Sequence, residues 1–231
     1  TRRPIQVAFF TNEEGARFQP DMMGSLVMVG GMPLQAALAT QAVDNAATVG
    51  DELARIGYAG SASVGAPVVD SFVELHIEQG PVLEQQDRLI GVVQGVQGIC
   101  WMQLRFTGTS NHAGTTPMAL RHDAGMCAMR CAAFIHNLVV RYGGSQLGTV
   151  GGLQLKPNLI NVIAQEAVMT VDLRNTQAAP LRQAQAEVLA FAYRIASENG
   201  VHCEHRQLAD FEPVDFDADL VDCVEQHAHA L

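Results

Sequence analysis

Between about Gly98 and Pro213 the apolar periodicity of the chain changes in one fixed order, and that order limits the possible folds more than any other feature. Residues 100–107 alternate as a strand and 119–142 repeat at helical spacing. Residues 147–155 and 162–173 alternate again, 180–199 return to the helical period, and 201–208 close with a strand. The β-α-β-β-α-β order predicts a ferredoxin-like α+β unit, a sheet with both helices on one face. A further helix is predicted over 217–231, opened by acidic residues that suit the positive end of a helix. It is expected to return to the first domain, which would make 98–213 an insertion.

The front of the chain reads differently. Ile5-Gln6-Val7-Ala8-Phe9-Phe10 is expected to be a buried strand, residues 33–56 helices, 71–77 a strand running into a turn at Gln79-Gly80-Pro81, and 89–96 another strand. A domain that opens inside its own sheet is expected to lack its first part. The expected architecture is therefore α/β, with a first domain over 1–97, the insertion over 98–213 and a return over 214–231.

Composition narrows the partners. The 231 residues are 48% hydrophobic, enough for a real core, and carry 24 Asp and Glu against 14 Lys and Arg. That balance offers no footprint for a phosphate backbone or an anionic membrane, so neither nucleic acid nor membrane is an expected partner. No apolar run is long enough to span a bilayer and no signal-peptide pattern opens the chain, which predicts a soluble, cytoplasmic protein. The cysteines, Cys100, Cys127, Cys131, Cys203 and Cys223, include no CxxC pair and read as reduced thiols. Cys127 and Cys131, four apart on a helix, suit either core packing or a metal.

Four segments carry chemistry. Thr11-Asn12-Glu13-Glu14-Gly15 sets adjacent carboxylates in a turn after a predicted strand, where α/β sheets place their sites. One Glu can bind a divalent metal while its neighbour acts as general base, or both can simply favour a helix N-terminus. In Glu74-Leu75-His76-Ile77-Glu78, alternation puts Glu74, His76 and Glu78 on one strand face, as a metal site with a carboxylate orienting the ring or as a solvated edge. Ser110-Asn111-His112-Ala113-Gly114 presents an imidazole from a turn-rich loop, to a ligand or to solvent. Asn158 and Asn161, then Asp172-Leu173-Arg174-Asn175, offer amide groups and a guanidinium able to grip a carboxylate. Turn chemistry and a surface ion pair are the plainer alternatives.

Taken together, the runs FFTNEEGARF, ELHIEQGPVLE, SNHAGTTPM and PNLINVI followed by DLRN resemble, in order and spacing, the amidase, hydantoinase and carbamoylase branch of the M20 metallopeptidase-like family. That branch includes N-carbamoyl-L-amino acid hydrolases and allantoate amidohydrolases. The resemblance covers nearly the whole chain. It implies an M20-type catalytic domain, incomplete here, with the ferredoxin-like unit as an inserted lid that also makes a homodimer. It implies two divalent metal ions per full site, drawn from Zn, Mn, Co or Ni. By the same resemblance Glu13 is the general base, Glu14 a ligand of one metal and His76 a ligand of the other. His112, Asn161 and Arg174 fall on the lid's substrate residues, Arg174 gripping the carboxylate and His112 polarising the scissile carbonyl in the partner subunit's site.

The implied chemistry is metal-dependent hydrolysis of a non-peptide C–N bond in an N-carbamoyl-L-amino acid or related ureido acid. Ile99-Cys100-Trp101 leans toward carbamoylase members over allantoate hydrolases. One departure is large. The family supplies a His and a bridging Asp ahead of the first motif and a last His beyond the final one, so this chain carries only Glu14 and His76 of the implied ligands. His227 and His229 lie in another context. Two competing readings follow, a peptidase of the same superfamily and a non-catalytic dimerisation fragment.

Overall fold

The structure, a computed structural model, describes residues 4–65 and 67–229. The chain divides into two compact units, one up to Ile77 and one from Glu78 on. Both mix helices with sheet or bridge pairing.

The first unit holds three short helices, α1 (Met23–Met28), α2 (Leu34–Leu38) and α3 (Val49–Arg55). The helices predicted over 33–56 are present as α2 and α3. Thr48 starts α3 with a capping box. Its hydroxyl accepts from the Asp51 N–H at 3.1 Å, and its own N–H donates to the Asp51 carboxylate at 3.1 Å. The Thr48 hydroxyl, donating to the Asp51 carboxylate at 2.7 Å, and then the Thr48 N–H hold the Asp51 carboxyl below its usual range. Phe18, Met23, Ala37, Ala42 and Val49 form a small core, with Phe18 bridged to Ala42 and Gln41 to Thr48.

The strands predicted over 5–10 and 71–77 do not form among the described residues, and of 89–96 only its last two residues pair. Their apolar side chains are open. Phe9 is 92% and Leu75 101% exposed. A strand is defined by the neighbour its N–H and C=O groups reach, and no described segment supplies one for residues 5–10 or 71–77.

The second unit begins with α4 (Val82–Gln85) and the short pair β1 (Gly95–Val96) and β6 (Val214–Asp215), joined antiparallel. Between these lie β2 (Gly98–Thr107), α5 (Ala124–Tyr142), β3 (Leu147–Lys156), β4 (Glu166–Asn175), α6 (Ala178–Glu198) and β5 (His202–Phe211). Among the described residues they make one four-stranded antiparallel sheet, ordered β3-β4-β2-β5. The predicted β-α-β-β-α-β order is present, and its strand order is the ferredoxin-like one. After β6 comes α7 (Ala218–Ala228), capped by Asp217, whose carboxylate accepts from the Leu220 N–H at 3.0 Å. The predicted helix ran to Leu231, and Ala230 and Leu231 lie outside the described residues.

Period-2 alternation sets the layers. Cys100, Met102, Leu104 and Phe106 of β2 and Ala167, Met169, Val171 and Leu173 of β4 are buried on one face. Against them pack Cys127, Cys131 and Ile135 of α5 and Leu181, Val188 and Ala192 of α6. Each large apolar side chain so buried contributes about 1.5–3 kcal/mol relative to exposure. The opposite face carries Trp101, Gln103 and Arg105 from β2 and Val168, Thr170, Asp172 and Arg174 from β4, all half-buried. The four core cysteines are reduced and buried, and Cys223 is exposed. Burial pushes the Cys131 thiol up to about 12. Among the described residues no helix is long and apolar enough to cross a membrane.

Candidate active site

The Glu13–Glu14 turn is held by its neighbours rather than by a strand. Asn12 adopts a left-handed backbone with φ of +53°, which Asn tolerates better than most residues. Its side-chain amide donates to the carbonyls of Phe18 at 2.8 Å and Pro20 at 3.0 Å. The carbonyls of Thr11, Asn12 and Glu13 accept from the N–H groups of Gly24, Met23 and Met22, tying the turn to the start of α1. Gly24 permits this approach, since a Cβ there would lie 2.8 Å from the Thr11 backbone. The two carboxylates border an open pocket of about 470 Å³ that also takes in Arg17, Glu52 and Arg55. Hydrogen bonds from Arg55 and then Arg17 hold the Glu52 carboxyl below its usual range.

His76 belongs to the same neighbourhood. Its Nδ1 lies 2.6 Å from the Ile77 carbonyl, which can only accept, so in the neutral ring Nδ1 carries the proton and Nε2 the lone pair. That bond pushes the His76 pKa above its ordinary value, and the negative charges of Glu74, Glu13 and Glu14 add to the rise. An imidazole with its Nδ1–H engaged and Nε2 open is in the tautomer a metal ligand needs.

Glu78 has a different task. Its carboxylate accepts from the N–H groups of Val82 at 2.9 Å and Leu83 at 3.1 Å, capping α4. It therefore does not share a strand face with Glu74 and His76 as predicted, because residues 71–77 form no strand and Gln79 turns the chain with φ of +53°. Among the described residues no group of three or more His, Cys, Asp or Glu side chains could hold a metal ion. Glu14 and His76 by themselves fall short of the four or so ligands a divalent ion takes, so the residues described do not fit the implied metal pair on their own.

In the second unit His112 and Asn161 come together. His112 bridges to Val162, the Ala113 N–H donates to the Asn161 carbonyl at 2.9 Å, and the Ile163 N–H to the Asn111 carbonyl at 2.9 Å. This pairing explains why β4 starts at Glu166 rather than at the predicted residue 162. The Gly114 N–H donates to His112 Nδ1 at 3.1 Å, so a neutral His112 carries its proton on Nε2 as an outward donor. Arg121 clamps the loop, donating to the carbonyls of Thr116 at 3.0 Å and Ala113 at 2.7 Å. Sequence reading missed Arg121, since its partners are main-chain carbonyls that leave no pattern.

Arg174 lies elsewhere, at the other end of β4, so the three expected lid residues split into a pair and a single group. From Glu166, beside the His112 loop, to Arg174 the strand spans roughly 26 Å at about 3.3 Å per residue. Arg174 makes the ion pair that the plainer reading anticipated. Its Nε and Nη2 donate to the Asp172 carboxylate at 3.0 to 3.1 Å, and its guanidinium carbon lies 6.0 Å from the Trp101 ring centre.

The comparisons with known proteins agree with one another. An N-carbamoyl-L-amino-acid amidohydrolase of Rhizobium meliloti is 38% identical over 231 residues, covering 100% of this chain and 55% of that protein. An allantoate deiminase of Arabidopsis thaliana is 28% identical over 247 residues, covering 95% of this chain and 46% of its own length. The crystal structure of an amidase of the hydantoinase/carbamoylase family from Burkholderia multivorans superposes with a TM-score of 0.85 at 39% identity, covering 96% of this chain and 54% of that one. The chain thus spans about half the length of the relatives it matches. The family model for peptidase family M20/M25/M40 matches residues 1–231, and the chain belongs to that family.

Proposed function

We propose that the protein hydrolyses a non-peptide C–N bond in an N-carbamoyl-L-amino acid or a related ureido acid. The observation that carries this reading is the Glu13–Glu14 turn, fixed by Asn12 with His76 electrostatically beside it, in a chain 38% identical to a relative named for that reaction. Residues 1–97 are assigned to the catalytic domain, 98–213 to a lid and dimerisation domain, and 214–231 to the return. Family membership supports metal dependence, with Glu14 and His76 as donors toward two divalent ions of the Zn, Mn, Co or Ni type.

Glu13 takes the proton of the attacking water and returns it to the leaving nitrogen. The His112 Nε2–H donates to the carbonyl oxygen where negative charge develops, helped by Asn161. Arg174 holds the substrate carboxylate. A separation of roughly 26 Å along β4 exceeds a small substrate's reach, so His112 and Arg174 of one copy serve different sites. This supports a homodimer through the lid.

The test is ammonia release by the full-length protein, supplied with manganese, cobalt or zinc, from N-carbamoyl-L-amino acids, allantoate and a dipeptide. We expect turnover of the first and a loss of about a thousandfold in Glu13→Gln, the scale of one general base. Near-normal turnover by Glu13→Gln would sink the assignment of the base. Preference for allantoate or for the dipeptide moves the substrate to a purine-derived ureide or a peptide, and dimerisation without turnover favours the non-catalytic reading.

A further inference from the structure

We propose that Asp172 is a positioning residue that fixes the Arg174 fork so that one edge of the guanidinium is left for the substrate carboxylate. The inference rests on the proposed role of Arg174 and deepens it.

Asp172 and Arg174 are two apart on β4, so they share a face, while Val171 and Leu173 between and beside them are buried toward the helices. Neither of the two long helices covers that face, since α5 and α6 both pack on the other. The two side chains are half-buried, at 30% and 37% exposure, dry enough for the pair to be ordered and open enough for a ligand to arrive. Trp101 is the cross-strand partner of Asp172 and Ile99 that of Arg174 on β2, and the indole gives the guanidinium a flat neighbour.

A guanidinium offers two edges on which a carboxylate can sit with paired hydrogen bonds, Nε with Nη2 and Nη1 with Nη2. Asp172 takes the first, with Nε shared between both its oxygens and Nη2 bonded to one. Among the described residues the Nη1 side has no hydrogen-bond partner. An incoming carboxylate therefore meets one oriented edge instead of a freely rotating side chain, and less conformational freedom is lost on binding. The opposing effect is repulsion between two carboxylates that share one cation. The bidentate geometry and the indole contact favour fixing as the larger effect.

The test is made in the full-length enzyme with an N-carbamoyl-L-amino acid and its carboxamide, which lacks the anionic group. In Asp172→Asn we expect KM for the acid to rise about tenfold with kcat changed less than about threefold, the size of losing one charge-assisted pairing. KM for the carboxamide should not move. In an Arg174→Ala background the same change should add nothing, because a residue acting through another is silent once that other is gone. Should Asp172→Asn not fold, Asp172→Glu, which shifts the carboxylate by one methylene, is expected to give the same pattern more weakly. An unchanged or lower KM for the acid, an equal rise for the carboxamide, or a full effect in the Arg174→Ala background each overturns the positioning role. If Arg174→Ala itself leaves KM for the acid unchanged, the assignment of Arg174 fails first and this inference falls with it.

Discussion

Replacing Gly15 by alanine asks how firmly the Glu13–Glu14 turn must be held. Gly15 has φ of +62°, and a Cβ there would lie 2.7 Å from the Asp21 backbone, which cannot move away as a flexible side chain could. Its carbonyl also accepts from the Gln19 amide at 2.6 Å, so a shift of the residue pulls on the loop that leads to α1. The left-handed backbone alone costs an alanine about 1 kcal/mol, and the clash adds to it. We expect Gly15→Ala to lower Tm by several degrees and to reduce turnover of the full-length protein at least tenfold with KM little changed. Wild-type kinetics in a variant that melts at the parent temperature would show that the turn needs no such support. At this scale the sequence picked out candidate groups more readily than the contacts that hold them. Glu13, Glu14 and His112 stood out by type and spacing, whereas Arg121 works through carbonyl partners that no sequence pattern reveals.

Elements with both faces dictated by their own periodicity were legible, and those that depend on a neighbour were not. The alternation of β2 and β4 and the helical spacing of α5 and α6 each encode a buried face, so the unit they build could be read in order. The start of α5 fell five residues later than predicted because Asp123 caps it, accepting from the Met126 N–H at 2.9 Å. By contrast, residues 5–10 and 71–77 are apolar enough for strands but name no partner. In the core of the second unit, chemistry also tests packing. Burial raises the Cys131 thiol to about 12 and the Cys127 and Cys203 thiols to about 11, each from 9.0. These thiols stay protonated in the folded state while the unfolded chain releases its protons near 9. Between the two values the unfolded state binds fewer protons, so stability is intact below about pH 9 and falls as pH rises toward 12. Urea midpoints measured from pH 8 to pH 11 should decline, and Cys131→Ala should decline less steeply. Equal slopes would mean the thiol is not held in an apolar site.

At the scale of the molecule, the two units differ in how much of their stability they contain. The core of the second unit runs from Cys100 to Cys203 and includes both long helices and the sheet, all inside residues 98–213. The core of the first is five buried side chains, Phe18, Met23, Ala37, Ala42 and Val49, while Phe9, Leu75 and Ile77 stay largely open. Apolar surface buried sets what is available to offset chain entropy, and a core of that size does not offset the ordering of some seventy residues at about 1–2 kcal/mol each. Expressed alone, residues 98–213 should therefore melt cooperatively, with matching transitions by far-UV and near-UV circular dichroism. Residues 4–77 alone should show no cooperative transition and should bind a hydrophobic dye. If 4–77 melts as a cooperative unit, the site turn is self-supporting, and Glu13 and Glu14 can be studied apart from the second unit. If 98–213 fails to fold, the sheet draws stability from outside its own helices. The His112 loop and the Asp172–Arg174 pair would then be shaped by contacts beyond that segment.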